Sequence, residues 1–154
     1  MGAERSYDAD LVLWAEDQAR ALRDAAQAGV NLPIDWRNVA EEIDALGKSQ
    51  SRELASRVAT ILFHLLKLSA SPAVEPRAGW CDTIIEQRGE IERLLADAPS
   101  LRPTVSGVIH AEIGRARRRA VAALAGHGEE ARADLDSLAY TDEQVLGDWF
   151  PGEA

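Results

Sequence analysis

Four polar side chains fall on or beside the apolar face of a predicted helix, where a functional site inside a helical bundle would need them. They are Glu42, His64, Gln87 and Glu112. Such a set could line a pocket for a small molecule or a partner, and the carboxylates with the imidazole could hold a metal ion. An unpaired buried carboxylate is costly, so the same residues could instead form a structural network of hydrogen bonds and ion pairs.

The spacing around the histidines argues against the metal site. A carboxylate-bridged di-iron bundle needs Glu-x-x-His on two helices, but the residue three before His64 is Ile61 and the residue three before His110 is Gly107. The sequence has no His-Glu-x-x-His motif, one cysteine, Cys81, and no glycine-rich phosphate-binding loop. We therefore expect no metal and no cofactor. The balance is against an enzyme, although that question stays open.

Two aromatic residues near the C-terminus offer a different kind of site. Trp149 and Phe150 follow a capping-box sequence at 141–144 and precede Pro151, so they lie outside any long helix. They could tuck under the bundle as a latch, or they could remain exposed as anchors for a partner protein. Both alternatives stay open on the sequence.

The elements that would position these residues are predicted to be helices throughout. Alanine is abundant, and no stretch alternates with the period of two typical of a strand. Asp35 is predicted to cap a helix that begins with a largely buried Trp36, and Gly47 either ends that helix or bends it into the next. The predicted helical segments cover about residues 8 or 10 to 28, 36–46, 54 up to the stop at Ser71-Pro72, 80–96, 99–126, 129–138 and 141–147.

Composition limits the remaining function classes. The chain has 154 residues, is 46% hydrophobic and has 17 basic against 26 acidic residues, for a net charge of −9. This is enough apolar material for one core, and the acidic balance disfavours nucleic-acid binding, which needs clustered cations. No apolar run is long enough to cross a membrane and the N-terminus does not resemble a signal peptide, so we expect a cytoplasmic protein.

Several sequence blocks resemble a known family. The block from Trp36 to Ser49, WRNVAEEIDALGKS, resembles the most specific motif of the bacterial family catalogued as domain of unknown function twenty-nine. Supporting blocks are HLLK at 64–67, Trp80, TIIEQR at 83–88, PSL at 99–101 and the segment 140–151. The resemblance spans roughly residues 7–152 and implies an all-helical bacterial bundle. It implies no activity, and no catalytic residue follows from it.

These observations predict a single all-α domain over residues 1–154. We expect a bundle of four to five main helices with short C-terminal helices packed on it, and a flexible N-terminus over about residues 1–6. The leading hypothesis is a non-catalytic protein that binds an unidentified partner protein. The alternative is a small-molecule or metal-binding protein, or an enzyme, that uses the four-residue polar set. A homo-oligomer is compatible with either.

Overall fold

The computed structural model describes residues 3–152, with side chains described from residue 6, and confirms the predicted all-α fold. No strand occurs in this range. Residues 1 and 2 of the predicted flexible N-terminus lie outside the described residues, whereas residues 3–6 belong to the first helix. The helices are α1 (Ala3–Ala9), α2 (Leu11–Gln27), α3 (Trp36–Ala70), α4 (Arg77–Asp97), a 3-10 helix (Pro99–Thr104), α5 (Val105–Gly126) and α6 (Asp142–Leu146).

The chain divides into two compact units. The first unit comprises the chain up to residue 53 together with 94–103, and the second comprises 54–93 together with the chain from 104 onward. Helices α3 and α4 therefore contribute residues to both units. The single domain expected over residues 1–154 stays a prediction.

Helix α3 runs without interruption for 35 residues, so Gly47 does not end a helix. Gly47 is buried against α2, and a Cβ atom at this position would lie 3.4 Å from the Cβ of Ala15 and 3.7 Å from the carbonyl oxygen of Val12. A glycine inside a helix costs about 1 kcal/mol relative to alanine. Both distances are ordinary van der Waals contacts, so the space beside α2 would also accommodate an alanine at this position.

Three helix ends carry side-chain caps. The Asp10 carboxylate accepts hydrogen bonds from the backbone amides of Leu13 (2.9 Å) and Ser100 (2.6 Å) and from the Ser100 hydroxyl (3.0 Å). Burial raises the pKa of Asp10, but these hydrogen bonds outweigh burial and hold that pKa below its usual value. Asp10 therefore caps α2 and ties it to the 3-10 helix.

The other two caps agree with the sequence. Asp35 accepts from the backbone amide of Asn38 at 3.3 Å, and Thr141 and Gln144 form the reciprocal capping box that begins α6. Trp36, however, is only half-buried rather than largely buried, and its buried indole Nε1 has no hydrogen-bond partner.

The two units have cores of different character. In the first unit the completely buried apolar side chains are small, namely Ala15, Ala19, Ala40 and Ala98. All of the largest side chains that are less than 2% exposed belong to the second unit. That set is Leu54, Val58, Ile61, Leu62, Leu65, Leu66, Ser71, Ile84, Ile91, Val105 and Val145.

Candidate functional site

Glu42 does not lie in the interior as the sequence predicts. Its side chain is exposed in the first unit. The buried side of α3 in this unit carries Ala40 and Gly47, and Glu42 follows Ala40 by two residues, about 200° around the helix. The predicted apolar stripe included Val39 and Leu46, which are 40% and 37% exposed. Because these two exposed residues were counted in the stripe, the buried face of α3 was predicted on the side that faces solvent.

Gln87 belongs to a polar link between α3 and α4 in the second unit. Its Oε1 accepts a hydrogen bond of 3.1 Å from Arg57, whose guanidinium also lies 3.8 Å from the carboxylate of Glu90. Gln87 thus contributes an acceptor to the link between the two helices.

Glu112 forms an ion pair on its own helix. Its carboxylate lies 3.7 Å from the guanidinium of Arg115, one turn later on α5. The Glu112 side chain is 17% exposed and that of Arg115 is 71% exposed. In the described part of the chain no hydrogen bond or ion pair joins His64, Gln87 and Glu112 to one another.

His64 is the one member of the predicted set with an unsatisfied polar atom. Its Nδ1 is buried and has no hydrogen-bond partner, and its ring meets Phe63 edge-on with 5.1 Å between ring centres. Burial, reinforced by the charges of Lys67 and Arg119, lowers the pKa of His64 to about 4. The imidazole is therefore neutral at neutral pH.

Two cations next to His64 rest on aromatic rings. The Lys67 ammonium lies 4.1 Å from the ring centre of Trp80 and 5.1 Å from that of Phe63, and the Arg119 guanidinium lies 4.3 Å from the Phe63 ring centre. Burial lowers the pKa of Lys67, with Arg119 adding to the shift and Glu129 opposing it. We call His64, Lys67 and Arg119 the cationic cluster.

A small cleft adjoins the cationic cluster at Lys67. Its volume is about 250 Å³. Its walls are formed by Lys67, Pro76, Trp80, Ala123, Leu124, His127 and Glu129. The Glu129 carboxylate accepts a 2.6 Å hydrogen bond from Ser71, which holds it on the wall. The cleft thus combines apolar surface with one cation and one anion.

The C-terminal segment is held by Arg88 of α4. The guanidinium donates to the backbone carbonyls of Val145 (2.9 Å), Gln144 (2.8 Å) and Trp149 (2.7 Å), and it lies 4.8 Å from the ring centre of Phe150. Trp149 and Phe150 are half-buried, and the Trp149 ring lies 6.0 Å from that of Tyr140. Of the two alternatives left open by the sequence, the structure agrees with the latch, because Arg88 contacts both Trp149 and Phe150.

The first unit leaves much of its large apolar material in solvent. Of ten exposed large hydrophobic side chains in the described part of the chain, seven belong to this unit. They are Tyr7, Leu13, Val30, Leu32, Ile34, Val39 and Leu46. The other three, in the second unit, are Val74, Ile85 and Val121.

Comparison with known proteins decides the family. A model described as "Domain of unknown function DUF29" matches residues 6–150. The chain belongs to this family. It is also similar to a crystal structure of an alpha-helical protein of unknown function from Rhodospirillum rubrum, with a TM-score of 0.75, 28% sequence identity, and coverage of 92% of this chain and 89% of the other. No curated protein matches the chain.

The DUF29 match confirms the resemblance predicted from the block at 36–49. The family and the similar crystal structure are both described as being of unknown function, so they support an uncharacterised helical protein. Within residues 3–152, no helix is both long and apolar enough to cross a membrane. No group of three or more His, Cys, Asp or Glu side chains in the searched residues could hold a metal ion.

Arg88 is the residue that sequence reasoning missed. The predicted inward face of α4 contains Ile84 and Ile91, and Gln87 was placed between them. Arg88 lies about 40° from Ile84 and about 60° from Ile91, whereas Gln87 lies about 60° from Ile84 and about 40° from Ile91. The two residues are therefore equally close to the apolar face, and helical angle alone does not distinguish them.

Proposed function

We propose that the first unit binds a partner protein through the large apolar side chains that it exposes. The supporting observation is that this unit, whose completely buried apolar residues are alanines, carries seven of the ten exposed large hydrophobic side chains in the described part of the chain. Single exposed apolar residues are ordinary on a protein surface, but a concentration of them marks interaction sites.

Five of these side chains are close in sequence. Val30, Leu32 and Ile34 occupy the connector between α2 and α3, and Val39 and Leu46 lie on the exposed side of α3, two turns apart. We call these five residues the partner face. Apolar residues spaced two turns apart are typical anchors for an amphipathic helix packed alongside.

The charge of the surface favours a basic partner. Glu42 lies between Val39 and Leu46 on α3 and forms no hydrogen bond or ion pair within residues 3–152. The whole chain carries a net charge of −9. A second copy of the chain would bring like charges together, whereas a cationic amphipathic helix would place lysine or arginine near Glu42. We therefore infer that the partner segment is a cationic amphipathic helix.

Two defined peptides test this inference. One is a helical peptide with leucines at positions i, i+3 and i+7 and lysines on its flanks, and the other replaces every lysine with glutamate. Binding is measured by fluorescence anisotropy at low and high salt. We expect the lysine peptide to bind at least about tenfold more tightly, with a preference that salt weakens. Equal binding of the two peptides, or binding of neither, would contradict the proposal.

Matched variants locate the surface. Val39→Gln with Leu46→Gln removes two aliphatic side chains from the partner face, and Val121→Gln with Ile85→Gln removes equivalent exposed side chains from helices of the second unit. Burial of each partly exposed side chain contributes roughly 1 kcal/mol, so the first pair should weaken the lysine peptide about 10- to 30-fold. The second pair should leave binding unchanged. An equal loss in both pairs would exclude the partner face.

Charge reversal and self-association provide two further controls. Glu42→Lys should weaken the lysine peptide and strengthen the glutamate peptide, because it changes the sign of the charge between the two anchors. Light scattering at increasing protein concentration reports the oligomeric state. If a concentration-dependent dimer forms and is lost in the Val39→Gln, Leu46→Gln variant, the partner is a second copy and the cationic partner is wrong.

The alternative based on Glu42, His64, Gln87 and Glu112 has less support. Glu42 is exposed in the first unit, Gln87 is satisfied by Arg57, and Glu112 pairs with Arg115. Only His64 retains an unsatisfied buried nitrogen. A small-molecule, metal-binding or enzymatic function that uses all four residues is therefore the weaker candidate.

A further inference from the structure

The cationic cluster contains two charged groups without an acceptor. Among the described residues, neither the Lys67 ammonium nor the Arg119 guanidinium makes a hydrogen bond or an ion pair, although acidic residues outnumber basic ones by 26 to 17. Other basic residues, such as Arg23, Lys48 and Arg57, do have acidic partners. The carboxylate of Glu129 acts on the Lys67 ammonium through space without forming an ion pair with it.

Aromatic contacts hold these cations in place without using their hydrogen-bond donors. Lys67 rests on Trp80 and Phe63, and Arg119 rests on Phe63. A ring face attracts a cation but contacts only one side of it, so N–H groups remain available on the other sides. The rings therefore position the two donors while leaving them free to bind an anion.

His64 adds a third polar group that has no partner in the protein. Its ring contacts the same Phe63 side chain, and its buried Nδ1 has no partner within the protein. A buried polar nitrogen without a partner carries a desolvation cost, which a ligand acceptor would relieve. Phe63 is thus the common contact of two charged donors and of the imidazole whose Nδ1 has no partner.

The adjoining cleft limits the size and charge of the ligand. Its volume of about 250 Å³ lies below the usual range for drug-sized ligands, but a cavity of roughly 150 Å³ already holds benzene. Pro76, Trp80 and Leu124 offer apolar walls for a single ring or a branched chain. Glu129, also on the wall, would repel a second negative charge, so a monoanion fits better than a phosphate dianion.

We propose that the cationic cluster and its cleft bind a small organic carboxylate with an apolar body. The carboxylate accepts hydrogen bonds from Lys67, which lines the cleft, and from Arg119, which lies beside Lys67 on the Phe63 ring. The apolar body packs on Trp80 and Leu124. This site lies in the second unit, and it does not depend on peptide binding by the partner face.

Benzoate is a suitable probe, with benzamide as its neutral counterpart and inorganic phosphate as an anion without an apolar body. Binding at neutral pH is measured by calorimetry and by NMR shifts of the Trp80 indole and the His64 ring. We expect saturable binding of benzoate that moves both signals, and binding at least about tenfold weaker for benzamide, since a charge-assisted hydrogen bond contributes more than a neutral one. Phosphate should compete poorly.

Matched variants separate the site from general charge effects. Lys67→Met and Arg119→Met each remove one charged donor and should weaken benzoate at least about tenfold. Arg118→Met removes a neighbouring exposed cation from the same helix and should leave benzoate binding unchanged. Circular dichroism verifies that each variant is folded. If Lys67→Met does not fold, Lys67→Gln replaces it in the binding measurement.

Several results would overturn the proposal. Benzamide binding as tightly as benzoate would show that the cationic cluster does not recognise the carboxylate. Phosphate binding more tightly than benzoate would exclude the apolar cleft as part of the site. If Arg118→Met weakened benzoate binding as much as Lys67→Met and Arg119→Met, the loss would reflect only the change in net charge. The Lys67→Met variant should still bind the lysine peptide, so failure here is distinguishable from failure of the partner face.

Discussion

Replacement of Arg88 by methionine should release the C-terminal segment. Methionine keeps an apolar stem of similar length but removes the guanidinium, which donates to the carbonyls of Gln144, Val145 and Trp149. Helix α6 has only five residues, and a helix this short is unstable without tertiary contacts. The segment should therefore lose order before the rest of the second unit.

The expected magnitude follows from those three hydrogen bonds. A hydrogen bond to a charged group contributes about 1.5–3 kcal/mol. Part of this is returned on mutation, because the freed carbonyls regain water and because Arg88 is desolvated with one buried nitrogen, Nη1, unpaired. A net of about 1 kcal/mol per bond gives a loss of roughly 2–4 kcal/mol in the free energy of unfolding.

Urea unfolding followed by circular dichroism measures this loss, and amide hydrogen exchange locates it. Arg93→Met is the matched control, because Arg93 lies on the same helix, is 76% exposed and pairs with Glu90 at the surface. It should cost less than about 0.5 kcal/mol. Arg88→Lys should give an intermediate loss, since one ammonium cannot reproduce the planar guanidinium fork.

Either of two results would contradict this role of Arg88. If Arg88→Met and Arg93→Met lost the same free energy of unfolding, the three carbonyl contacts would not stabilise the segment. Unchanged amide exchange in α6 of Arg88→Met would exclude the proposed role even if the global stability fell.

Two further perturbations test the cap and the histidine. Asp10→Ala removes a carboxylate that accepts three hydrogen bonds, so the free energy of unfolding should fall by about 2–3 kcal/mol. Asp8→Ala, at an exposed position, should change it little. Similar losses in the two variants would exclude a stabilising cap at Asp10. The pKa of His64 is about 4 against an ordinary 6.5, so the folded protein binds fewer protons than the unfolded chain between these values, and stability should fall as the pH is lowered through that window. His64→Gln should flatten the dependence, and an NMR titration that places the pKa of His64 near its ordinary value would contradict the argument.

Local signals in the sequence predicted the helix ends well. Asp35 and Thr141 cap their helices as expected, because capping depends on a few adjacent residues. The helix breakers were less informative. Gly47 lies inside α3, because the intrinsic cost of one glycine, about 1 kcal/mol, is too small to end a helix of 35 residues. Residues 129–138, predicted to contain a short helix, are irregular.

The candidate site was harder to predict, because its side chains come together only in the tertiary structure. His64 was identified as a polar residue beside an apolar stripe, but the approach of Arg119 to Phe63 depends on how α5 packs against α3. Arg88 contacts backbone carbonyls, which every residue has. The sequence of the contacted segment therefore gives no signal for these contacts. The phase of α3 around Glu42 was misjudged because alanine contributes little to an apolar stripe even where it forms the core.

The alanine core of the first unit has a consequence for how this family can vary. Ala15, Ala19 and Ala40 are completely buried, so a larger side chain at any of them would overpack the interior and cost about 1–3 kcal/mol. These three positions should therefore accept few substitutions other than glycine or serine. The exterior of this unit, where the large apolar residues lie, carries no such packing constraint. We expect family members to share the small interior residues and to differ outside, so that one rigid helical pair can present different surfaces to different partners.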